Sequence, residues 1–126
     1  MADTRLRSLL VPAAREFNAG RYFEAHEAIE EGLDDVPDDL WDLCIGLIQI
    51  AVGYHKTTQG LWTGAAKMLG LGLQKVEPFA ADAGGINLEA LRARVRDDLA
   101  HVAAGRYDAD AGARNPPRLQ PLADRS

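Results

Sequence analysis

The longest apolar run of the chain lies between Leu40 and Gln59. On a helical projection its apolar residues cover nearly the whole circumference, and the polar ones leave a narrow strip beside Gly46 and Gly53. A helix that is apolar nearly all round belongs in the interior of a bundle. The pattern therefore predicts a central helix that another helix can approach closely at the two glycines.

Four further segments repeat apolar residues at helical spacing. These predicted helices cover 6–17, 21–33, 61–76 and 88–102. Asp3 or Thr4 is a candidate cap for the first, and Pro12 inside it predicts a kink or a start near Ser8. Asp38 or Asp39 is the expected cap of the central helix, and Asn87 is that of the fifth.

The second and fourth predicted helices are related by a shift of forty residues. The matched pairs include the turn glycines Gly20 and Gly60, as well as the aromatic residues Tyr22 and Trp62. The first copy also resembles the second helix of a tetratricopeptide repeat, which is a helical hairpin with a period near 34 residues. A third echo, residues 105–109, is too short to count as a repeat.

These patterns predict an all-α fold, because no stretch alternates apolar and polar residues as a strand does. We expect a compact bundle of five helices, built from two similar tetratricopeptide-like hairpins and a capping C-terminal helix. Residues 1–107 are predicted to form this single domain. Residues 108–126 contain Pro116, Pro117 and Pro121 with few large apolar residues, which predicts an extended or disordered tail.

Composition and charge narrow the function classes. The 14 basic and 19 acidic side chains give a net charge of −5, which argues against a nucleic-acid partner. The apolar run from Leu40 is too interrupted to span a membrane, which takes roughly 20 mostly apolar residues. One cysteine, Cys44, and an N-terminal apolar run too short for a secretory signal lead us to expect a reducing cytoplasm.

One string on the second predicted helix carries candidate chemistry. His26 and Glu30 are four residues apart and so share a helix face, and the string His-Glu-x-x-Glu is related to the zinc motif His-Glu-x-x-His. His55 on the central helix is the expected third ligand of a divalent zinc, manganese or iron ion. Glu27 or Glu24 would then be the base that activates a water molecule.

Three interpretations of this cluster stay open. We favour a structural one, in which His26, Glu30 and His55 form a buried hydrogen-bonded network that fixes how the hairpins dock. A divalent-metal site comes second, and metal-free acid–base chemistry third. Gln49 could join any of these arrangements, and Tyr22 and Trp62 are expected in the core or beside a pocket.

The run from Phe17 to Glu30 resembles the signature of the domain of unknown function 309 family, a family of small helical proteins. The segment Gly46–Ala51, then His55, Gly60 and Gly64-Ala65 continue the match to about Leu73. The resemblance implies a compact helical bundle, and some members are labelled predicted metal-dependent hydrolases. Many members have a large aromatic residue after the last glutamate of the motif, and the stretch Glu31-Gly32-Leu33 departs from that pattern.

The alternative function is not enzymatic. Hairpins of the tetratricopeptide type often build scaffolds that bind peptides, although stable arrays usually need three or more repeats. An interaction module or a homo-oligomer would use an exposed apolar patch.

Overall fold

A computed structural model of the chain describes residues 4–122. Within this range the fold is all-helical, as predicted. Six α-helices follow one another along the chain: α1 (Thr4–Asn18), α2 (Tyr22–Glu31), α3 (Asp38–Thr58), α4 (Trp62–Val76), α5 (Leu88–Ala103) and α6 (Ala109–Arg114). Two 3₁₀ turns, Leu33–Asp35 and Ala83–Gly85, lie in the connections before α3 and before α5.

Several predicted helix ends differ from those observed. α1 starts at Thr4 and continues through Pro12, so a start near Ser8 is wrong. Pro12 lies on the exposed side of α1, where its ring displaces no core residue. Of the two candidate caps of α1, Thr4 is the first residue of the helix, and Asp3 lies outside the described residues. Pro37 occupies the cap position of α3, and Asp38 and Asp39 lie in its first turn, where negative charge is favourable.

The long helix α3 is the centre of the bundle. It packs against α2 on one side and α4 on the other, while α1 packs on α2 and α5 packs on α4. The predicted close approach occurs between α3 and α4. A Cβ atom added at Gly72 would lie 2.7 Å from the carbonyl oxygen of Gly46, and one at Gly53 would lie 2.7 Å from the Leu69 side chain. No helix of the described range is both long and apolar enough to cross a membrane.

Three turns of the bundle share one geometry. Gly20, Gly60 and Gly105 have φ angles of +80°, +70° and +70°, which favour glycine. In each turn the next residue donates its backbone N–H to the carbonyl five residues earlier, as in a Schellman motif. These bonds are Arg21 to Glu16 (2.9 Å), Leu61 to Lys56 (3.0 Å) and Arg106 to His101 (2.8 Å). The short echo at residues 105–109 is therefore a third copy of the turn.

The C-terminal segment differs from the expected extended or disordered tail over the part that is described, residues 108–122. It contains the sixth helix, capped by the Asp108 carboxylate, which accepts from the N–H groups of Asp110 and Ala111. Leu119 is only 2 % exposed. Backbone hydrogen bonds then join this segment to the α4–α5 connection, from Asn87 to Gln120 and from Leu122 to Gly85, both 2.8 Å.

Candidate functional site

The predicted cluster on α2 and α3 is not a buried network. The Nε2 atom of His26 lies 3.4 Å from a carboxylate oxygen of Glu30, but the Glu30 side chain is 63 % exposed. Nδ1 of His26 donates to the carbonyl of Phe23 on its own helix, at 2.5 Å. Because four residues of helix separate the two partners, this pair forms within α2 and does not dock one hairpin on the other.

His55 and His26 both contact the ring of Phe23. Its ring centroid lies 5.4 Å from that of Phe23, and the ring of His26 lies 4.8 Å from the same phenylalanine. Neither histidine side chain bonds to the other in the described structure. The hydrogen-bonded connection expected between His26, Glu30 and His55 is thus replaced by ring contacts to Phe23, a residue that the sequence pattern did not single out.

The predicted metal ligands and bases do not assemble into a ligand group. Glu24 and Glu27 are exposed on α2. Among the described residues, no group of three or more histidine, cysteine, aspartate or glutamate side chains could hold a metal ion. As arranged here, these side chains do not fit a bound metal.

The remaining candidates have separate surroundings. Tyr22 is 7 % exposed and packs against Phe17 and Tyr54, with ring centroids 5.1 and 5.5 Å away. Trp62 is 42 % exposed and contacts the ring of Tyr107. The Oε1 atom of Gln49 is buried and accepts no hydrogen bond from any described group.

The buried polar network of this protein lies elsewhere, between α3 and α5. The hydroxyl of Tyr54 donates to the Asp98 carboxylate at 2.6 Å, and Nε of Arg94 donates to the same oxygen at 2.8 Å. Asp98 is 6 % exposed. Burial, and then the carboxylate of Asp98, raise the pKa of Tyr54 well above its usual value. Arg94 also donates to the carbonyl of Asn115, so the network reaches the residue after α6.

Of the three arginines of α5, Arg96 is exposed, Arg94 is partly buried and Arg92 is buried. Arg92 is 6 % exposed, and its guanidinium donates to the carbonyls of Val76, Glu77 and Phe79. It therefore satisfies carbonyl groups at the C-terminal end of α4, which need partners from outside the helix. Both buried networks were missed because the alternation of arginines with small residues and the two aspartates after them resemble an exposed helix.

A cavity of about 410 Å³ lies beside the turn at Gly20. It is enclosed by the end of α1, the start of α2, the end of α3 and α6. Tyr22, Thr57 and Tyr107 contribute to its lining. A second cavity of about 510 Å³ shares Tyr107 and Gly112 with the first and is lined by Arg94, Asp97 and Asp98 as well.

The described chain is thus a small all-helical protein with a central helix, three equivalent glycine turns and a pocket at one end. Residues 10–68, a little under half of the chain, match the model of the family described as Domain of unknown function (DUF309). The match confirms the resemblance predicted from the sequence. It runs from α1 into α4, so α5, α6 and the C-terminal segment lie beyond it. Comparison with curated proteins gave no match.

Proposed function

We propose that this protein is a non-enzymatic interaction module that binds a basic, partly apolar segment of a protein partner on the exposed face of α2. One observation carries the proposal: Phe23 is 45 % exposed on α2, a helix whose charged side chains Glu24, Glu27, Glu30 and Glu31 are all acidic and exposed. Exposed large apolar side chains rimmed by charge are typical of binding surfaces.

The acidic character continues along the chain beyond α2. Between Arg21 and Lys56 the sequence contains no lysine or arginine. The same stretch contains nine carboxylates: Glu24, Glu27, Glu30, Glu31, Asp34, Asp35, Asp38, Asp39 and Asp42. All nine are exposed. A positively charged partner would gain both a faster association and a defined orientation from such a field.

Phe23 is suited to act as an anchor because its ring is already held. The rings of His26 and His55 contact it from α2 and α3, so less side-chain freedom is lost when a partner binds. The finer fold expectation supports the same function, since the α1–α2 and α3–α4 pairs and their matching turns resemble the hairpins of peptide-binding scaffolds. We keep, as predictions, a cytoplasmic location, the absence of a nucleic-acid partner and the option of a homo-oligomer.

The test uses a synthetic helical peptide with lysines at every fourth position and one leucine anchor, followed by fluorescence anisotropy. We expect binding that weakens as salt is raised, and a roughly tenfold loss of affinity in Phe23→Ala. Leu71→Ala is the matched control, because Leu71 is a comparably exposed apolar residue, 38 % exposed, on α4 and not on α2. Equal affinity of wild type and Phe23→Ala, or no binding at low salt, would refute the proposal.

The metal-dependent hydrolase, with His26, Glu30 and His55 as ligands and Glu27 or Glu24 as base, stays the alternative prediction. Mass spectrometry of metal content, on tag-free protein incubated with zinc, manganese and iron, separates the two. Near-stoichiometric metal that is lost in both His26→Ala and His55→Ala would favour the hydrolase. Substoichiometric metal that is unchanged by these substitutions would favour the interaction module.

A further inference from the structure

We propose that the cavity beside the Gly20 turn is a binding site for an uncharged, planar small molecule that carries a hydrogen-bond acceptor. This site shares no residue with the acidic face of α2, so the two proposals stand or fall separately. Its volume of about 410 Å³ lies within the range of roughly 300–1,000 Å³ that is usual for ligand pockets.

The position of the cavity follows from the three equivalent turns. Short turns make successive helices antiparallel, so the ends of α1, α3 and α5 lie at the same end of the bundle. Residues of α6, together with Tyr107 just after the third turn, complete the lining of the cavity at this end. The family match covers the Tyr22 and Thr57 side but not Tyr107, so this pocket combines the shared segment with residues particular to the C-terminal part.

The residues that line the cavity disfavour a charged ligand. Its described residues include no aspartate, glutamate, lysine, arginine or histidine. A charged ligand would lose its hydration there without a compensating partner. Charged side chains, among them Arg94 and Asp98, line the second cavity, which shares Tyr107 and Gly112 with the first.

Most polar side chains of the lining already have partners. The amide of Asn18 holds the backbone of Leu119 through two bonds, at 2.7 and 3.0 Å. The hydroxyls of Thr57 and Thr58 donate to backbone carbonyls within α3, both at 2.6 Å. These groups shape the pocket and have little donor capacity left for a ligand.

Tyr22 is the exception. The residue is 7 % exposed and lines the cavity, and its hydroxyl, which makes no hydrogen bond to a described residue, is not among the fully buried unpaired atoms. Because this oxygen keeps accessible surface, its O–H is free to donate to an acceptor on a ligand in the cavity. Burial raises the pKa of Tyr22 to about 12, so this hydroxyl keeps its proton at neutral pH.

The shape of the pocket favours a flat ligand. Two tyrosine rings, Tyr22 and Tyr107, contribute to the lining, and the residues around them are small, including Gly20, Gly112 and Ala113. Aromatic faces bind planar rings by offset stacking or edge contacts. The acceptor of the ligand would be a carbonyl or ring oxygen within reach of the Tyr22 hydroxyl.

Three matched probes test each part of the proposal. Coumarin is neutral and planar with a carbonyl acceptor, naphthalene lacks the acceptor, and coumarin-3-carboxylate adds a negative charge. Binding is followed by amide chemical shifts of the full chain in ¹H–¹⁵N spectra. We expect coumarin to bind best and to shift the amides of Gly20, Thr57 and Gly112.

Two variants locate the site. Ala113→Phe places a large ring in the cavity from an exposed position and should abolish coumarin binding, whereas Ala100→Phe, exposed on α5, should not. Tyr22→Phe keeps the ring and should weaken coumarin about fivefold, without affecting naphthalene. The proposal is overturned if coumarin shifts no cavity amide at millimolar concentration, if the carboxylate binds more tightly, or if Ala113→Phe leaves binding unchanged.

Discussion

Each of the three tyrosines in the chain is held in its neutral form by its surroundings. Burial raises the pKa of Tyr22 to about 12 and raises those of Tyr54 and Tyr107 above the usual value near 10. Asp98 acts in the same direction on all three, because it disfavours a second negative charge nearby. Because the tyrosine pKa values are higher in the folded than in the unfolded chain, the free energy of unfolding depends on pH.

We predict that the native protein shows less phenolate absorbance at pH 10 than the unfolded chain, in which a free tyrosine is about half ionised. The unfolded chain releases these protons near pH 10, whereas the native chain holds them to higher pH. The contribution of the tyrosines to stability is therefore constant below about pH 10 and is lost as the pH rises, for Tyr22 between about pH 10 and 12. Ultraviolet titration of native protein, with guanidinium-unfolded protein as the control, measures the effect. A native phenol that titrates near pH 10 would contradict it.

At the scale of helices, the closest contact is that of α3 with α4, and it depends on glycine. At Gly72 an added Cβ would lie 2.7 Å from the Gly46 carbonyl oxygen and 2.9 Å from the Ile50 nitrogen. Both atoms belong to the backbone of the central helix and cannot rotate away. A methyl group there would force the helices apart.

We predict that Gly72→Ala lowers the free energy of unfolding by about 1–3 kcal/mol, the usual cost of overpacking, even though alanine is the better helix former. Gly70→Ala, two residues away on α4, is the matched control, because its nearest neighbour is a Leu99 methyl at 3.9 Å. It should be neutral or gain up to about 1 kcal/mol from helix propensity. Urea unfolding measures the free energy of unfolding of both variants. Equal stability of the two would show that α3 and α4 do not approach closely at Gly72.

At the scale of the molecule, the sequence predicted those features of the fold that a local pattern encodes. Apolar periodicity located the helices from α1 to α5, and the glycine-aromatic pattern located the turns. The candidate site was harder to predict from the sequence. Residues four apart share a helix face, but this spacing does not show whether that face points inward, and Glu30 is in fact exposed. Likewise, the pairing of Tyr54 with Asp98 joins residues 44 positions apart, and no periodicity encodes such a contact.

The C-terminal segment is the clearest example of structure that the sequence pattern did not predict, because its few apolar residues do not recur at helical spacing. Leu119 is nevertheless 2 % exposed, and the Asn18 side chain holds its backbone N–H and carbonyl. Arg7 of α1 also donates to the carbonyl of Leu122 at 2.9 Å. The segment therefore ties the first helix to the α4–α5 connection across the whole chain.

We predict that Leu119→Ala destabilises the protein by about 2–4 kcal/mol, as expected when a buried leucine is truncated. Gln120→Ala is the control, because that side chain is exposed and only its backbone carbonyl is used, as acceptor from Asn87. Chemical unfolding followed by circular dichroism compares the two. If Leu119→Ala matched wild type, the segment would contribute nothing to the fold. A large loss would instead show that the C-terminal residues complete the core and hold α6 over the cavity.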